Sequence, residues 1–364
     1  MTYKCRSYTG TAKDLSATRI NSPTGAELLK LASTIEKGAS PLLPVTGEPP
    51  DISVVLVNYN TAHLLDRTFA ALYAARGDLR LQVILVDNAS RDGSVEILRA
   101  KHPEVELLEN LVNVGFGRAN NRALPWVRGR YLLLLNTDAF LAPDTLVKTV
   151  QFMDNHPNCG ILGVKLVGSD GTLQPSCRYF PTPWNTFLAR SGFARFFPHT
   201  RLVDDLSWDH ASVRECDWVP GCYYLVRREV VERVGLFDPR YFLYYEEVDH
   251  CRRARHAGFV VIYYPFTQVT HIGGESATIE GPLTPAGRQI ASIQIESELL
   301  YFRKYYGMGG PIAAVLLTMT GDTMRACKNL VRRLNVAAAV AAIKHSCTVV
   351  MVLVATRFGA RATR

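Results

Sequence analysis

The chain has 364 residues, 48% of them hydrophobic, enough for one large domain or a domain of about 250 residues with appendages. The formal net charge of +8 suggests a polyanion partner, yet ten basic residues and a single acid, Asp322, follow position 300, which leaves the first 300 residues at −1. That distribution excludes a basic nucleic-acid-binding body and assigns the basicity to a C-terminal segment.

Eight cysteines (5, 159, 177, 216, 222, 251, 327 and 347) form no CxxC pair and no Cys–His zinc spacing, so reduced thiols of a cytosolic compartment are expected instead of a zinc knuckle. Lys4 and Arg6 are followed by a Ser/Thr-rich stretch and not by an apolar run, so a secretory signal is not expected.

Residues 1–50 read as an extension. Thr24 and Glu27 make a capping-box pattern ahead of Leu28, Leu31, Ala32 and Ile35, with Gly38 placed to stop the helix. Pro41 to Pro50 reads as a linker. From Asp51 the pattern alternates. Ile52 to Val57 is an apolar β-branched run; Leu64, Leu65, Phe69, Leu72 and Tyr73 recur at helical spacing; Val83 to Val86, Val105 to Leu108 and Tyr131 to Leu135 are further runs, with a helix over Gly115 to Val127. Short runs apolar on both faces, separated by amphipathic helices, predict an α/β fold with a parallel sheet covered on both sides. After Ser169-Asp170-Gly171 the chain becomes irregular and aromatic, through Tyr179, Phe180, Trp184, Phe187, Phe193, Phe196, Phe197, Trp208 and Trp218; a substrate surface and a core layer are both open for it.

The polar chemistry sits where strands stop. The first strand ends at Asn58-Tyr59-Asn60. Asp87, opening Asp87-Asn88-Ala89-Ser90, suits either the imide N–H of a pyrimidine base or an Asx turn or helix cap. In Asn113 to Asn121 the glycines Gly115 and Gly117 let backbone amides approach an anion at a helix start. The Tyr131–Leu135 run delivers Asn136-Thr137-Asp138 to the carboxyl end of a parallel strand, where α/β proteins bind ligands, and one carboxylate there suffices to hold Mg²⁺ or Mn²⁺ against a phosphate. Glu246, Glu247 and Asp249 crowd the start of a helix over Glu247 to Gly258, where the helix dipole favours acids; packed beside tyrosines they also raise one another's pKa, as suits a general base. His271, after the apolar Phe259 to Tyr264 and ahead of Gly273-Gly274-Glu275-Ser276, is a candidate second metal ligand beside Asp138.

Taken in order, VVLVNYN (54–60), VDNASRDGS (86–94), NVGFGRANN (113–121), LLNTD (134–138), DWVPGCYYLVRR (217–228), GLFDPRYFLYYEEVDHCRRARHAG (235–258) and THIGG (270–274) resemble the inverting glycosyltransferases of family 2, and most of all the bacterial rhamnosyltransferases that extend polyprenyl-linked cell-wall or surface polysaccharides. The resemblance covers about residues 51–306 and closes on the run Tyr301 to Tyr306. It implies a GT-A fold, a dTDP- or UDP-sugar donor, a polyprenyl-diphosphate-linked saccharide acceptor, Mg²⁺ or Mn²⁺, and a place on the cytoplasmic face of a bacterial membrane, peripheral or monotopic. Oligomers are compatible with it.

Carried over, Asn58, Tyr59, Asn60, Asp87, Asn113, Gly115, Phe116, Asn120 and Asn136 would line the nucleotide-sugar site, with Asp87 on the base. Asp138 and His271 would hold the metal, and Trp218, Gly221 and Asp249 would lie near the donor or acceptor sugar. The family's usual Glu-Asp pair is Glu246-Glu247 here, so Glu247 stands where an Asp base is expected, and Glu246 stays open as the base. dTDP-rhamnose is favoured as donor by resemblance, with UDP-galactofuranose or a UDP-hexosamine behind it. A nucleotidyltransferase would need a glycine-rich phosphate loop where Asn58-Tyr59-Asn60 stands; a membrane-tethered carbohydrate-binding scaffold would not need Asp138, Glu247 and His271 together.

Beyond the domain, Pro311 to Met319 is apolar but too short to span a bilayer. Met324 to Leu334 alternates basic and apolar positions and reads as a helix on an anionic surface. Val336 to Val354 is long enough to cross, but Lys344 and His345 fall near its middle, where a lysine costs about 3 kcal/mol. An in-plane or shallowly buried hairpin is expected, with a soluble helical cap as the alternative.

Overall fold

In a computed structural model, residue 42, residues 48–273 and residues 285–364 are described, with 285–290 and 332–333 as backbone only. The expected helix at 24–38, most of the Pro41 to Pro50 linker, and Gly274, Glu275 and Ser276 lie outside the described residues.

The apolar runs are strands, each followed by the helix whose apolar stripe covers it. In chain order they are β1 Ile52–Asn58, α1 Ala62–Ala74, β2 Leu81–Asp87, α2 Ser94–Lys101, β3 Glu106–Glu109, α3 Phe116–Ala123 and β4 Tyr131–Asn136. The helix expected over Gly115 to Val127 is shorter: α3 passes at Leu124 into a 3₁₀ turn that contains Pro125, because proline adds no N–H to the α ladder. Then follow β5 Ala139–Leu141, α4 Thr145–Asn155, β6 Cys159–Val167, β7 Leu173–Gln174, α5 Pro183–Ser191, β8 Arg214–Cys216, β9 Tyr223–Arg227, α6 Arg228–Val234, α7 Glu246–His256 and β10 Val260–His271. The apolar segment starting at Phe259 thus runs on as far as His271, its register shifting between Tyr264 and Gln268, where Pro265 lacks a ladder donor.

The strands form one sheet in the order β3-β2-β1-β4-β9-β6-β10-β5, with β7 on β6 and β8 on β10. Along that path β9 and β5 run against the other six. Burial on both faces explains the continuous apolar runs. Val55, Ile84, Leu134 and Tyr224 face a core shared with α3, α6 and α7, while Val54, Leu56, Leu85 and Leu133 face Phe69, Leu72 and Met153. The parallel register pairs Asn58 with Asp87 and Val57 with Asn136, so the polar strand ends emerge on one rim.

Three helices follow: α8 Pro285–Tyr306, α9 Gly309–Arg333 and α10 Val336–Ala355. The segments Pro311 to Met319 and Met324 to Leu334, read separately in the sequence, join in the continuous α9. Leu334, in the left-handed region, turns the chain, and the Asn335 side chain caps α10 by accepting from the Ala338 N–H at 2.9 Å.

α8 is bolted to α7 by charge. The Lys304 ammonium lies 2.6 Å from Asp249 and 2.9 Å from Asp238, Arg253 lies 2.8 Å from Asp249, and the Tyr305 hydroxyl donates to Asp249 at 2.7 Å. Burial alone would push the Asp238 carboxyl up, but Arg240 and Lys304 outweigh it and hold its pKa below the usual carboxylate range. Losing Lys304 takes one charge-assisted hydrogen bond from each of Asp249 and Asp238, which keep Arg253, Tyr305 and Arg240; at about 1.5 kcal/mol each this costs about 3 kcal/mol. Thermal unfolding of Lys304→Met is therefore expected to show a midpoint lowered by roughly 6–12 °C; an unchanged midpoint would contradict this role.

Candidate active site

Two distant segments meet beside the end of β4. After Asn136 the chain makes a tight turn through Thr137 and Asp138 and enters β5, which pairs antiparallel with the end of β10 so that His271 opposes Ala139. The turn is fixed from α1: Thr68 donates to the Thr137 carbonyl at 2.5 Å, and the Thr61 and Thr137 hydroxyls are 2.8 Å apart. The Asp138 carbonyl accepts the Ile272 N–H at 3.1 Å. This places Asp138 Oδ1 3.5 Å from His271 Nε2, near enough for charge attraction and too long for a well-formed hydrogen bond.

The opposite face of the imidazole is held by Gln174. His271 Nδ1 lies 3.0 Å from Gln174 Oε1, and Gln174 Nε2 donates to the His271 carbonyl at 2.9 Å. An amide oxygen only accepts, so Nδ1 carries the proton and Nε2 is aimed at Asp138 with no hydrogen-bond partner. Burial pulls the imidazolium down, but Asp138 and the Cys222 thiol outweigh it, and the pKa is raised to about 10. The place attracts positive charge. A carboxylate and an imidazole nitrogen fixed by a partner on its other face fit a hard divalent cation. Among the described residues no group of three or more His, Cys, Asp or Glu gathers around one point, so most of such a cation's ligands would be substrate or water oxygens.

On the β1–β2 side several expected contact residues are otherwise engaged. Asn58 donates to Asp87 Oδ1 at 2.8 Å and to Ser90 Oγ at 2.9 Å, and accepts from Thr61 at 2.6 Å. Both N–H groups of its amide are engaged, one of them orienting Asp87, so its place beside the nucleotide is that of a support for Asp87. Asp87 also closes the Asx-type turn, accepting the Ser90 N–H at 3.0 Å, yet each carboxylate oxygen keeps a lone pair for a base. Tyr59 is half-buried. Asn60, at φ 55°, donates its N–H to Ser90 Oγ and accepts from the Arg91 N–H. Asn113 accepts from Asn88 and from the Gly115 N–H. Asn88, unmarked in the sequence reading although it follows Asp87, ties this loop together through Asn110 and the Val114 N–H.

Gly115 is needed for a reason other than phosphate approach. At φ 88° a Cβ there would sit 2.3 Å from the Phe242 carbonyl oxygen, and that carbonyl takes the Phe116 N–H at 2.8 Å. The start of α3 therefore anchors the segment leading to α7 instead of offering that amide to an anion. Asn120 is buried and donates to the Phe116 carbonyl, so it too stabilises α3.

The acids follow directly. Tyr244 and Tyr245 both lie near φ 70°, a conformation that costs a non-glycine residue about 1–3 kcal/mol and marks sites held by their surroundings. Ser297 of α8 donates to the Leu243 carbonyl at 2.8 Å, and the Tyr245 ring packs on Tyr301 at 5.3 Å. α7 then starts with Glu246, whose Cβ is 3.6 Å from where a side chain on Gly117 would be. Glu246 is buried while Glu247 keeps partial exposure, and each has a carboxylate oxygen without a partner. Burial, then the neighbouring Glu247, pushes Glu246 well above the carboxylate range; burial also raises Glu247, offset in part by backbone amides and Arg178.

Arg178 was not singled out from the sequence. It pairs with Asp204 at 2.6 Å and lies 4.7 Å over the Trp218 ring. Trp218 is 6% exposed and its Nε1 donates to the Tyr179 carbonyl, so it is a core support for Arg178 and not a sugar-stacking surface. Asp249 is likewise corrected: it is fully buried and saturated by Lys304, Arg253 and Tyr305. Gly221 faces Phe116, with 3.6 Å between that ring and a hypothetical Cβ. The next residue, Cys222, accepts the Asn136 N–H at 3.1 Å and lies beside His271. Cys222 thus joins β4 to His271, while Gly221 leaves room beside the Phe116 ring and Gly117 leaves room beside Glu246.

A mixed, mostly parallel sheet whose polar strand ends emerge on one rim is the architecture of a GT-A glycosyltransferase. Residues 53–206 match the model of Glycosyl transferase family 2. The chain is 31% identical over 238 residues, 60% of this chain and 75% of the relative, to the N-acetylglucosaminyl-diphospho-decaprenol L-rhamnosyltransferase of Mycobacterium tuberculosis. It is 27% identical over 165 residues, 43% of this chain and 60% of the relative, to the rhamnosyltransferase WbbL of Escherichia coli. The fold is similar to that of the mannosyltransferase PcManGT of Pyrobaculum calidifontis, solved with GDP-Man and Mn²⁺, at a TM-score of 0.50 and 19% identity over 92% of this chain and 95% of that one. The chain belongs to glycosyltransferase family 2.

Outer partners of a metal-binding histidine typically contribute about 10- to 100-fold in metal affinity. Gln174→Leu is expected to weaken Mn²⁺ binding by that factor in calorimetric titration with a nucleoside diphosphate present; wild-type affinity would remove Gln174 from the site.

Proposed function

We propose that this glycosyltransferase moves L-rhamnose from dTDP-rhamnose, with inversion and with a divalent cation, to a hydroxyl of a polyprenyl-diphosphate-linked saccharide in cell-wall or polysaccharide synthesis. The observation that carries the reading is the facing of Asp138 Oδ1 and His271 Nε2 at 3.5 Å at the end of β4. At the start of α7, Glu246 and Glu247 each keep a buried carboxylate oxygen without a partner, which few groups in folded chains do. The names of both relatives support the sugar, and that of the Mycobacterium tuberculosis relative supports the lipid-linked acceptor.

Asp87, held by Asn58 and Ser90, accepts the imide N–H of the base. Asp138 and His271 would hold Mg²⁺ or Mn²⁺, whose chemistry when bound would be to neutralise negative charge on the leaving diphosphate. Glu247 takes the proton of the acceptor hydroxyl, which attacks the anomeric carbon from the face opposite the diphosphate. One displacement without a covalent intermediate inverts the configuration. Glu247 is preferred over Glu246 as base because it is partly exposed while Glu246 is buried, and a carboxylate raised toward neutrality is suited to proton abstraction. Glu246 beside it disfavours a second ionised carboxylate.

Asp138→Ala is expected to abolish transfer and the slow hydrolysis of the nucleotide sugar. Glu247→Gln should lower kcat by about 10²- to 10⁴-fold with donor binding retained. An active Asp138→Ala protein would refute the reading, and an active Glu247→Gln protein would transfer the base role to Glu246.

The pH profile gives a signed test. The raised Glu247 pKa puts the acidic limb of kcat/KM above the ordinary glutamate value of about 4.3. Arg178 favours the ionised carboxylate, so Arg178→Met removes a lowering influence and should move that limb to higher pH. A shift to lower pH would show that Arg178 does not act on Glu247.

A further inference from the structure

We infer that α9 and α10 form a docking surface for an anionic phospholipid leaflet. Only the identity of the lipid-carried acceptor rests on the function proposed above. The two helices are joined by Leu334 and Asn335 and lie side by side. Asp322 of α9 accepts from His345 at 2.7 Å and from Ser346 at 2.9 Å on α10, and nearer the turn Ala326 packs on Ala339 and Ala342.

What this hairpin turns outward is apolar or cationic. At its tip Val331, Leu334 and Val336 are 80%, 84% and 62% exposed, and Ile343 and Met351 continue the apolar surface along α10. Soluble monomers rarely leave such a contiguous patch open. Arg325, Lys328 and Lys344 are exposed beside it. The one acid after residue 306, Asp322, is 4% exposed and held inside by His345 and Ser346. The surface therefore shows no carboxylate to a partner.

That charge pattern selects the occupant. From residue 307 onward there are eight basic residues against that single buried acid, so a second copy on the same face would meet like charge. Headgroup phosphates complement it, while aliphatic side chains enter the boundary between headgroups and acyl chains and the lysines reach back to the phosphates. α10 has the length and apolarity to cross a bilayer, 20 residues at mean hydropathy 1.9. Two facts favour lying on one leaflet: Lys344 is exposed at mid-helix, and one side of α10 is taken up by α9 through His345 and Ala342. α9 also packs on α8, which holds Leu243 and Asp249 in place, so the docking surface and the catalytic acids share one scaffold.

The test is flotation of the full chain with vesicles of phosphatidylcholine, with and without phosphatidylglycerol. The expected result is binding to the anionic vesicles that weakens as salt rises, with about a tenfold loss in Val331→Asp/Leu334→Asp. Both positions are solvent-exposed, so that variant should keep its melting temperature and its hydrolysis of nucleotide sugar. Equal binding to neutral vesicles, no binding, or full binding by the double variant would each overturn the inference. So would resistance to alkaline extraction, which marks a true span, or a lipid-free dimer that the double variant dissolves. Vesicle binding without any hydrolysis of a nucleotide sugar would sink the transferase reading and leave the docking surface standing.

Discussion

The antiparallel pairing of the short β5 with the end of β10 is the constraint on which the site depends. It opposes His271 to Ala139 and brings together Asp138 and His271, 133 positions apart in the sequence. Three backbone pairs in that ladder, the threonines of α1 behind the turn and Gln174 behind the imidazole hold the geometry from three sides. Asp138 favours the protonated imidazole and raises its pKa to about 10, so the pair already attracts positive charge, which is the property the proposed cation site requires.

The acids, too, are held by a neighbouring element. Glu246 and Glu247 open α7 directly after two left-handed tyrosines, and that turn is held from α8 by Ser297 and Tyr301. Helix N-terminal amides offset part of the repulsion. The C-terminal helices are thus tied to the segment that carries the acids, since α8 holds Leu243 and Asp249 on one side and packs on α9 and α10 on the other.

Much of this architecture was legible because strands buried on both faces leave unbroken apolar runs, as in Val54 to Val57 and Tyr131 to Leu135. The pairing of Asp138 with His271 was legible too, since each follows an apolar strand. What the sequence hid were partners. Gln174 lies in a two-residue strand with no periodicity to mark it, and Arg178 acts through space on a helix about 70 positions away. Asn58, Trp218 and Asp249 have the residue types of ligands, yet each spends its polar groups inside the protein. Gly115 has a neighbour that its sequence context did not show: its missing side chain makes room for the Phe242 carbonyl.

The central claim is that positive charge is received between Asp138 and His271 and neutralises the departing diphosphate. Anomalous scattering from crystals grown with Mn²⁺ and a nucleoside diphosphate tests it most directly. The account predicts a manganese peak in contact with Asp138 and His271 Nε2 and with oxygens of the diphosphate. A nucleotide bound in the site with no metal there, or with manganese bound by other residues, would contradict it.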